Sequence, residues 1–118
     1  MGFFSFAKAD RILKRSEFIQ LSQTGKKIQN RYFIVVFSPG QFERSRLGVT
    51  VTKKVGCSVR RNRIKRLSRE YFRLNRDHLK GNWDINIIAK KEANKLQRYR
   101  FFASLDDILN KISPIYED

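Results

Sequence analysis

The chain has one cysteine, one histidine and two prolines among its 118 residues. A single cysteine excludes an internal disulfide. A lone His78 excludes a ribonuclease built on two-histidine acid–base chemistry and reads as structural. No run approaches the ~20 apolar residues needed to cross a bilayer. The apolar opening Met1–Phe6 stops at Lys8 with no basic residue before it, so it does not read as a secretory signal. Phe6 stands where a myristoylation signal has Ser or Thr; the segment is expected to lay its Phe side chains against the body. Carboxylates are also scarce, 11 against 26 Lys and Arg. Asp106 and Asp107 are adjacent, so they diverge on a helix, and the others are scattered, a poor arrangement for a two-metal nuclease. Asp10, Glu17 and Asp84 read as surface carboxylates rather than as holders of a hydrated metal. Cys57 has no His or second Cys near it and is expected to be an ordinary thiol.

What is present points elsewhere. Hydrophobic residues make up 41% of the chain, with ten Phe, enough for a real core in a single domain over residues 1–118. The formal net charge is +15, which predicts a polyanionic partner. The charge is unevenly placed. Between Glu43 and Glu70 no acidic residue occurs, yet ten basic ones do: Arg44, Arg46, Lys53, Lys54, Arg60, Arg61, Arg63, Lys65, Arg66 and Arg69. From Ala103 onward the sign reverses, with four carboxylates against Lys111. A solvated coat mixes both signs, so the middle segment is where a phosphate backbone is expected to lie.

The predicted elements run α-β-β-α-β-α. Ser16 caps a first helix that stops at Gly25 and turns Ile19 and Leu21 inward. Asn30 to Phe37 and Leu47 to Thr52 read as strands, paired as an antiparallel hairpin across residues 39–45. Gly48, Thr50 and Thr52 form an unusually small face on the second. Arg60 to His78 is a helix with Ile64, Leu67, Tyr71 and Leu74 as its apolar stripe. Opposite lie Asn62, Lys65, Arg66, Arg69, Arg73 and Arg76, with Arg61 and Phe72 on the flank. Trp83 to Ala89 alternates as a third strand. Arg98 to Ile112 forms a last helix with Phe102, Leu105, Ile108, Leu109 and Ile112 inward, ended by Pro114. This is an α+β fold, a small single domain with helices packed on a mostly antiparallel sheet.

The most informative stretch runs from Lys53-Lys54-Val55-Gly56 to Arg61-Asn62-Arg63-Ile64-Lys65-Arg66. It places a Gly-containing turn before a helix whose first turns are crowded with cations. The helix dipole is positive at that end and repels them. Phosphates would reverse the sign of the effect, because dipole and guanidinium groups then act together on the same anion.

This stretch resembles the signature of the bacterial ribonuclease P protein subunit, whose hallmark is an Arg-Asn-Arg helix start, here Arg61-Asn62-Arg63. The likeness extends over about residues 6 to 110, through Phe6-Ala7-Lys8, Arg11 to Phe18, Gly25, Asn30-Arg31-Tyr32-Phe33, Arg46-Leu47-Gly48 and Ile85 to Lys90. The resemblance implies a left-handed β-α-β crossover. It implies an endonucleolytic ribonucleoprotein in tRNA processing, whose chemistry belongs to a catalytic RNA with magnesium. It further implies that the protein has no catalytic residue and no cofactor or metal of its own, and that it is inactive alone. Its implied partners are the catalytic ribonuclease P RNA and precursor tRNA, one protein per RNA, in the cytoplasm, with no membrane. Lys53, Lys54, Arg61, Asn62, Arg63, Lys65, Arg66 and Arg69 match the RNA-binding positions. Phe18 matches an aromatic lining a cleft for the single-stranded 5′ leader, beside which the small face of Thr50 and Thr52 leaves room. Two further aromatics seen in some members are replaced here by Ser22 and Val36, with Tyr32 and Phe37 as possible substitutes. A small ribosomal or RNA-chaperone protein and a self-sufficient metal nuclease are the alternative readings.

Overall fold

The computed structural model describes residues 10–40, 44–75, 79 and 81–112. The Phe-rich opening, His78, Arg76 and Pro114 lie outside the described residues. The element order is α1 (Arg15–Thr24), β1 (Lys26–Gln29), β2 (Phe33–Pro39), β3 (Arg46–Thr50), α2 (Ser58–Asn75), β4 (Trp83–Ala89) and α3 (Arg98–Leu109). The predicted order holds, with one short edge strand, β1, added ahead of β2. Short 3₁₀ turns cover Lys53–Val55 and Lys91–Lys95.

The four strands lie in the order β1-β2-β4-β3. β1 and β4 each pair antiparallel with β2, while β3 runs parallel to β4. The expected hairpin between β2 and β3 does not form, because β4 inserts between them. β4 alternates Trp83, Ile85 and Ile87 with Asp84 and Asn86, and Ile88 continues the second face, so both faces are used. Two covered neighbours suit such a central strand better than an edge. Residue Arg11 extends the far edge, where the Ile12 N–H donates to the Leu47 carbonyl at 3.0 Å.

One face of the sheet carries Phe33, Val35, Phe37, Leu47, Ile85 and Ile87, packed under Ile64, Leu67, Tyr71 and Phe72 of α2 and Phe101, Leu105 and Ile108 of α3. The predicted stripe of α2 is shifted at its end: Leu74 is exposed and Phe72 is buried. In α3 Phe101 is the buried ring, edge-on to Phe33 at 4.9 Å. Phe102 flanks the core instead, against Tyr71 at 5.3 Å. Spacings of four, three and four along Phe101, Leu105, Ile108 and Ile112 keep one helical stripe, which Phe102 leaves by one position. The other face is smaller: Ile12, Leu21 and Val36, with Phe18, Ile34 and Ile88 partly buried against them. It is covered by α1. That helix starts from Lys14 without a side-chain cap, so Ser16 is not its cap. Ile19 points outward at 47% exposure, and Leu21 alone of the expected pair anchors the helix.

Candidate nucleic-acid interface

The start of α2 is held firmly. Asn94 donates its side-chain N–H to the Val55 carbonyl at 2.9 Å. A Cβ on Gly56 would stand 2.9 Å from that same Asn94 nitrogen, so a side chain there would have to push the Asn94 amide aside. The Arg61 N–H donates to the Cys57 carbonyl at 2.9 Å and opens the helix. The Arg60 amide pointing at Cys57 holds its exposed thiol below the ordinary value.

The expected RNA-facing residues are brought together on this end of α2. Lys53, Lys54, Asn62 and Arg66 are exposed, and Arg61, Arg63, Lys65 and Arg69 are half-buried. Two of them also serve the fold: Arg63 donates to the Leu96 carbonyl at 2.8 Å and Arg61 to the Ser58 hydroxyl at 3.1 Å. The Arg61 Nε is buried with no hydrogen-bond partner. Burial, and then the neighbouring Arg11, push the Arg69 guanidinium below its ordinary value. Arg11 thus belongs to the cationic surface, a residue that charge counting along the chain passed over. The signal was there only in three dimensions, because Arg11 reaches α2 by lying along the edge of β3.

The basic run itself divides. Arg46 faces away from α2, on the α1 side of the sheet. Its guanidinium donates twice to Asp84, at 3.0 and 2.9 Å, and stands 2.8 Å from a Glu17 oxygen. These contacts, the Asp84 hydrogen bonds foremost, hold Arg46 above its ordinary value, and Arg46 holds Glu17 below its own. Arg44 pairs with the buried Asp10 at 2.7 Å. Asp10, Glu17 and Asp84 are therefore each committed to a guanidinium. They are not an open carboxylate set that fits a cation, and they are not the plain surface groups expected either. Among the described residues no cluster of three His, Cys, Asp or Glu could hold a metal.

The Arg46 clamp fixes α1 over the sheet. Phe18 then lies directly on Gly48: a Cβ there would meet the ring at 2.3 Å. The small face of β3 is thus partly filled by Phe18 rather than left empty. What stays open is the next row, where Thr50 lies beside Ile88 and Ile88 beside Ile34, all three partly exposed. The Thr50 hydroxyl donates to Asn86 at 3.2 Å. Phe18 walls this strip, and the strip runs out towards exposed Thr52 and the Lys53–Val55 turn. Ile34, Ile88 and Asn86 are floor residues that sequence reasoning missed, although strand alternation opposite Ile85 and Ile87 marks them. Phe37 lies in the core on the other face, and Tyr32 packs against that core, so neither substitutes for the missing cleft aromatics.

The comparisons with known proteins agree with one another. The family profile described as Ribonuclease P matches residues 6–113. A protein of Desulfatibacillum aliphaticivorans named ribonuclease P protein component is 55% identical over 113 residues, covering 96% of both chains. One of Thermotoga maritima with the same name is 35% identical over 112 residues, covering 94% of this chain and 96% of its own. Among solved structures, the ribonuclease P protein of Staphylococcus aureus superposes with a TM-score of 0.82 at 33% identity, over 93% of this chain and 100% of its own. That of Thermotoga maritima gives 0.80 at 32% identity, over 86% and 96%. Sequence and fold agree along nearly the whole length, and the chain belongs to the bacterial ribonuclease P protein family.

Proposed function

We propose that this protein component of ribonuclease P binds two stretches of RNA, the catalytic RNA on the cationic start of α2 and the 5′ leader of precursor tRNA on the strip beside α1. The observation that carries this reading is the crowding of cations at a helix N-terminus with no carboxylate among them. Such an end is stabilised by phosphate and by little else. Lys53, Lys54, Arg61, Asn62, Arg63, Lys65, Arg66, Arg69 and Arg11 meet the catalytic RNA. Phe18, Thr50 and Thr52 border the leader, with Ile34 and Ile88 beneath it. Phe18 stands over one end of the strip, on Gly48, and a stacked base gains from such a ring face. The protein contributes no reacting group. The chemistry and its magnesium belong to the RNA subunit, one protein per RNA, in the cytoplasm. No described helix is long and apolar enough to cross a membrane.

Reconstitution tests this. The purified chain alone should cleave no precursor tRNA, and with a bacterial ribonuclease P RNA at low magnesium it should promote cleavage at the mature 5′ end. Replacing Arg63, Lys65 and Arg66 together should weaken RNA binding and flatten its salt dependence, because fewer counterions are released. RNA-free cleavage that survives nuclease-removal controls would transfer the chemistry to the protein. An unchanged salt slope would show that α2 turns away from RNA.

A further inference from the structure

A second basic surface lies where α3 begins, adjoining the start of α2. Tyr99 is 64% exposed there. Arg100 donates its Nε–H to the Tyr99 hydroxyl at 3.1 Å, and its guanidinium carbon lies 5.8 Å from the Tyr99 ring centre. Arg31 stands 5.8 Å from the Tyr32 ring centre. Between these pairs and the turn Lys91–Lys95 opens a cavity of about 900 Å³, within the ~300–1,000 Å³ range of ligand pockets. A second hollow of about 500 Å³ shares Arg31, Tyr32, Tyr99 and Arg100.

Hydrogen bonds tie together the lining of the smaller hollow, where Asn30 and Ser104 stand beside the shared residues Arg31 and Tyr32. The Asn30 side-chain oxygen accepts the Tyr32 and Phe33 amides, each at 2.9 Å. Its nitrogen donates to the Ser104 carbonyl and hydroxyl on α3, at 3.0 and 2.8 Å. Lys90 donates from its side chain to the Asn30 carbonyl at 2.7 Å. A groove held this way loses little freedom when it is filled.

Its chemistry is selective. Arg31, Lys91, Lys95 and Arg100 face one carboxylate, Glu92, in the larger cavity. Asp107 in the smaller one lies 3.5 Å from Lys111. Arg98 is already spent on Glu70, at 2.6 and 2.8 Å. The excess cations select a polyanion, and the exposed ring beside them selects one with flat faces to stack. The rim also touches the first site. Arg63 and Arg60 reach across to the Leu96 and Asn94 carbonyls, at 2.8 and 3.4 Å, so the cationic surface continues from α2 to Lys91 and Lys95.

Resting on the reading that this chain binds RNA, we infer that the cavity at the start of α3 holds a single-stranded RNA segment, with a base stacked on Tyr99 and phosphates against Arg31 and Arg100. The test uses the full chain and an oligouridylate of about ten nucleotides, within the span such grooves cover. Tyr99→Ala should weaken binding about tenfold with the melting temperature unchanged, because the ring is exposed. Tyr99→Phe should keep the affinity. A 4-thiouridine-substituted strand should crosslink to the segment 95–100. Equal affinity after Tyr99→Ala, or crosslinks confined to α1 and β3, would overturn the inference. Displacement of the strand by polyglutamate as readily as by RNA would mark an acidic-polypeptide groove, and overturn it too. The combined replacement of Lys65 and Arg66 by Ala separates the two readings. If it weakens binding and the Tyr99 variants do not, only this cavity fails. If neither set weakens binding, the RNA reading fails with it.

Discussion

The two faces of one sheet are built on different principles. Under α2 and α3 the side chains are large, apolar and almost fully buried, from Phe33 to Ile112. Under α1 three buried residues suffice, and the helix is held in place by the Arg46, Glu17 and Asp84 ion pairs and by one ring on one glycine. Burying apolar area stabilises a fold without regard to fine position, whereas charge pairs contribute little net energy but fix geometry. The first face keeps the protein folded. The second sets the distance between a helix and a sheet, which is what the proposed leader strip requires.

The largest effect that should separate the faces comes from Phe101→Ala. It empties a fully buried ring site and should cost about 3–5 kcal/mol in urea unfolding, with leader and RNA affinity intact once the protein is folded. An equal loss of affinity would mean that the α1 face depends on the core more closely than described.

Gly48→Ala should cost less, about 1–3 kcal/mol, since the new methyl group must push the Phe18 ring away. Its binding signature should be larger than its stability signature. Affinity for precursor tRNA with a leader of several nucleotides should drop, and affinity for a substrate trimmed to a single leader nucleotide should hold. Phe18→Ala should show the same leader selectivity. The double variant should be less destabilised than the sum of the two, because the clash has gone. Strict additivity would separate ring from glycine.

The smallest effect concerns acid. The Arg46 hydrogen bond lowers the Glu17 value from 4.5. A carboxylate lowered in the folded state adds stability above its unfolded value and loses it as the pH falls through the folded one. The stability gap between the natural chain and Glu17→Gln should therefore be full above about 4.5 and close below it. Because Glu17 keeps partial contact with solvent, it should stay under about 1 kcal/mol. A gap that persists in acid would mean Glu17 acts through shape rather than charge.

The core face was legible because periodicity reports burial: Ile85, Ile87, Ile64 and Leu67 stand where their spacing puts them. The cationic helix start was legible because charge and sequence neighbourhood coincide there. Strand order was not. Nothing in the alternation of Leu47 to Thr52 says that its neighbour comes from Trp83 to Ala89 rather than from Asn30 to Phe37, since the choice is made by a helix packing across both. For the same reason Arg46 looked like one more phosphate ligand. Its carboxylates, Glu17 and Asp84, sit far from it in sequence and meet only after the sheet forms. Phe101 and Phe102 differ by one position on a wheel, a distinction that a stripe drawn from its far end blurs.

The position of β4 has a consequence for how the chain comes to be folded at all. It is the last strand in sequence among the described residues and one of the two inner strands in space, bonded to β2 on one side and β3 on the other. During synthesis β1 and β2 can pair as soon as they emerge, but β3 has no strand to join until the segment beyond α2 has been made. The helix with the densest positive charge is thus made before the sheet beneath it is complete. Pairings this distant in sequence are slow to close. The β3–β4 pairing therefore closes only after the whole of α2 has been made.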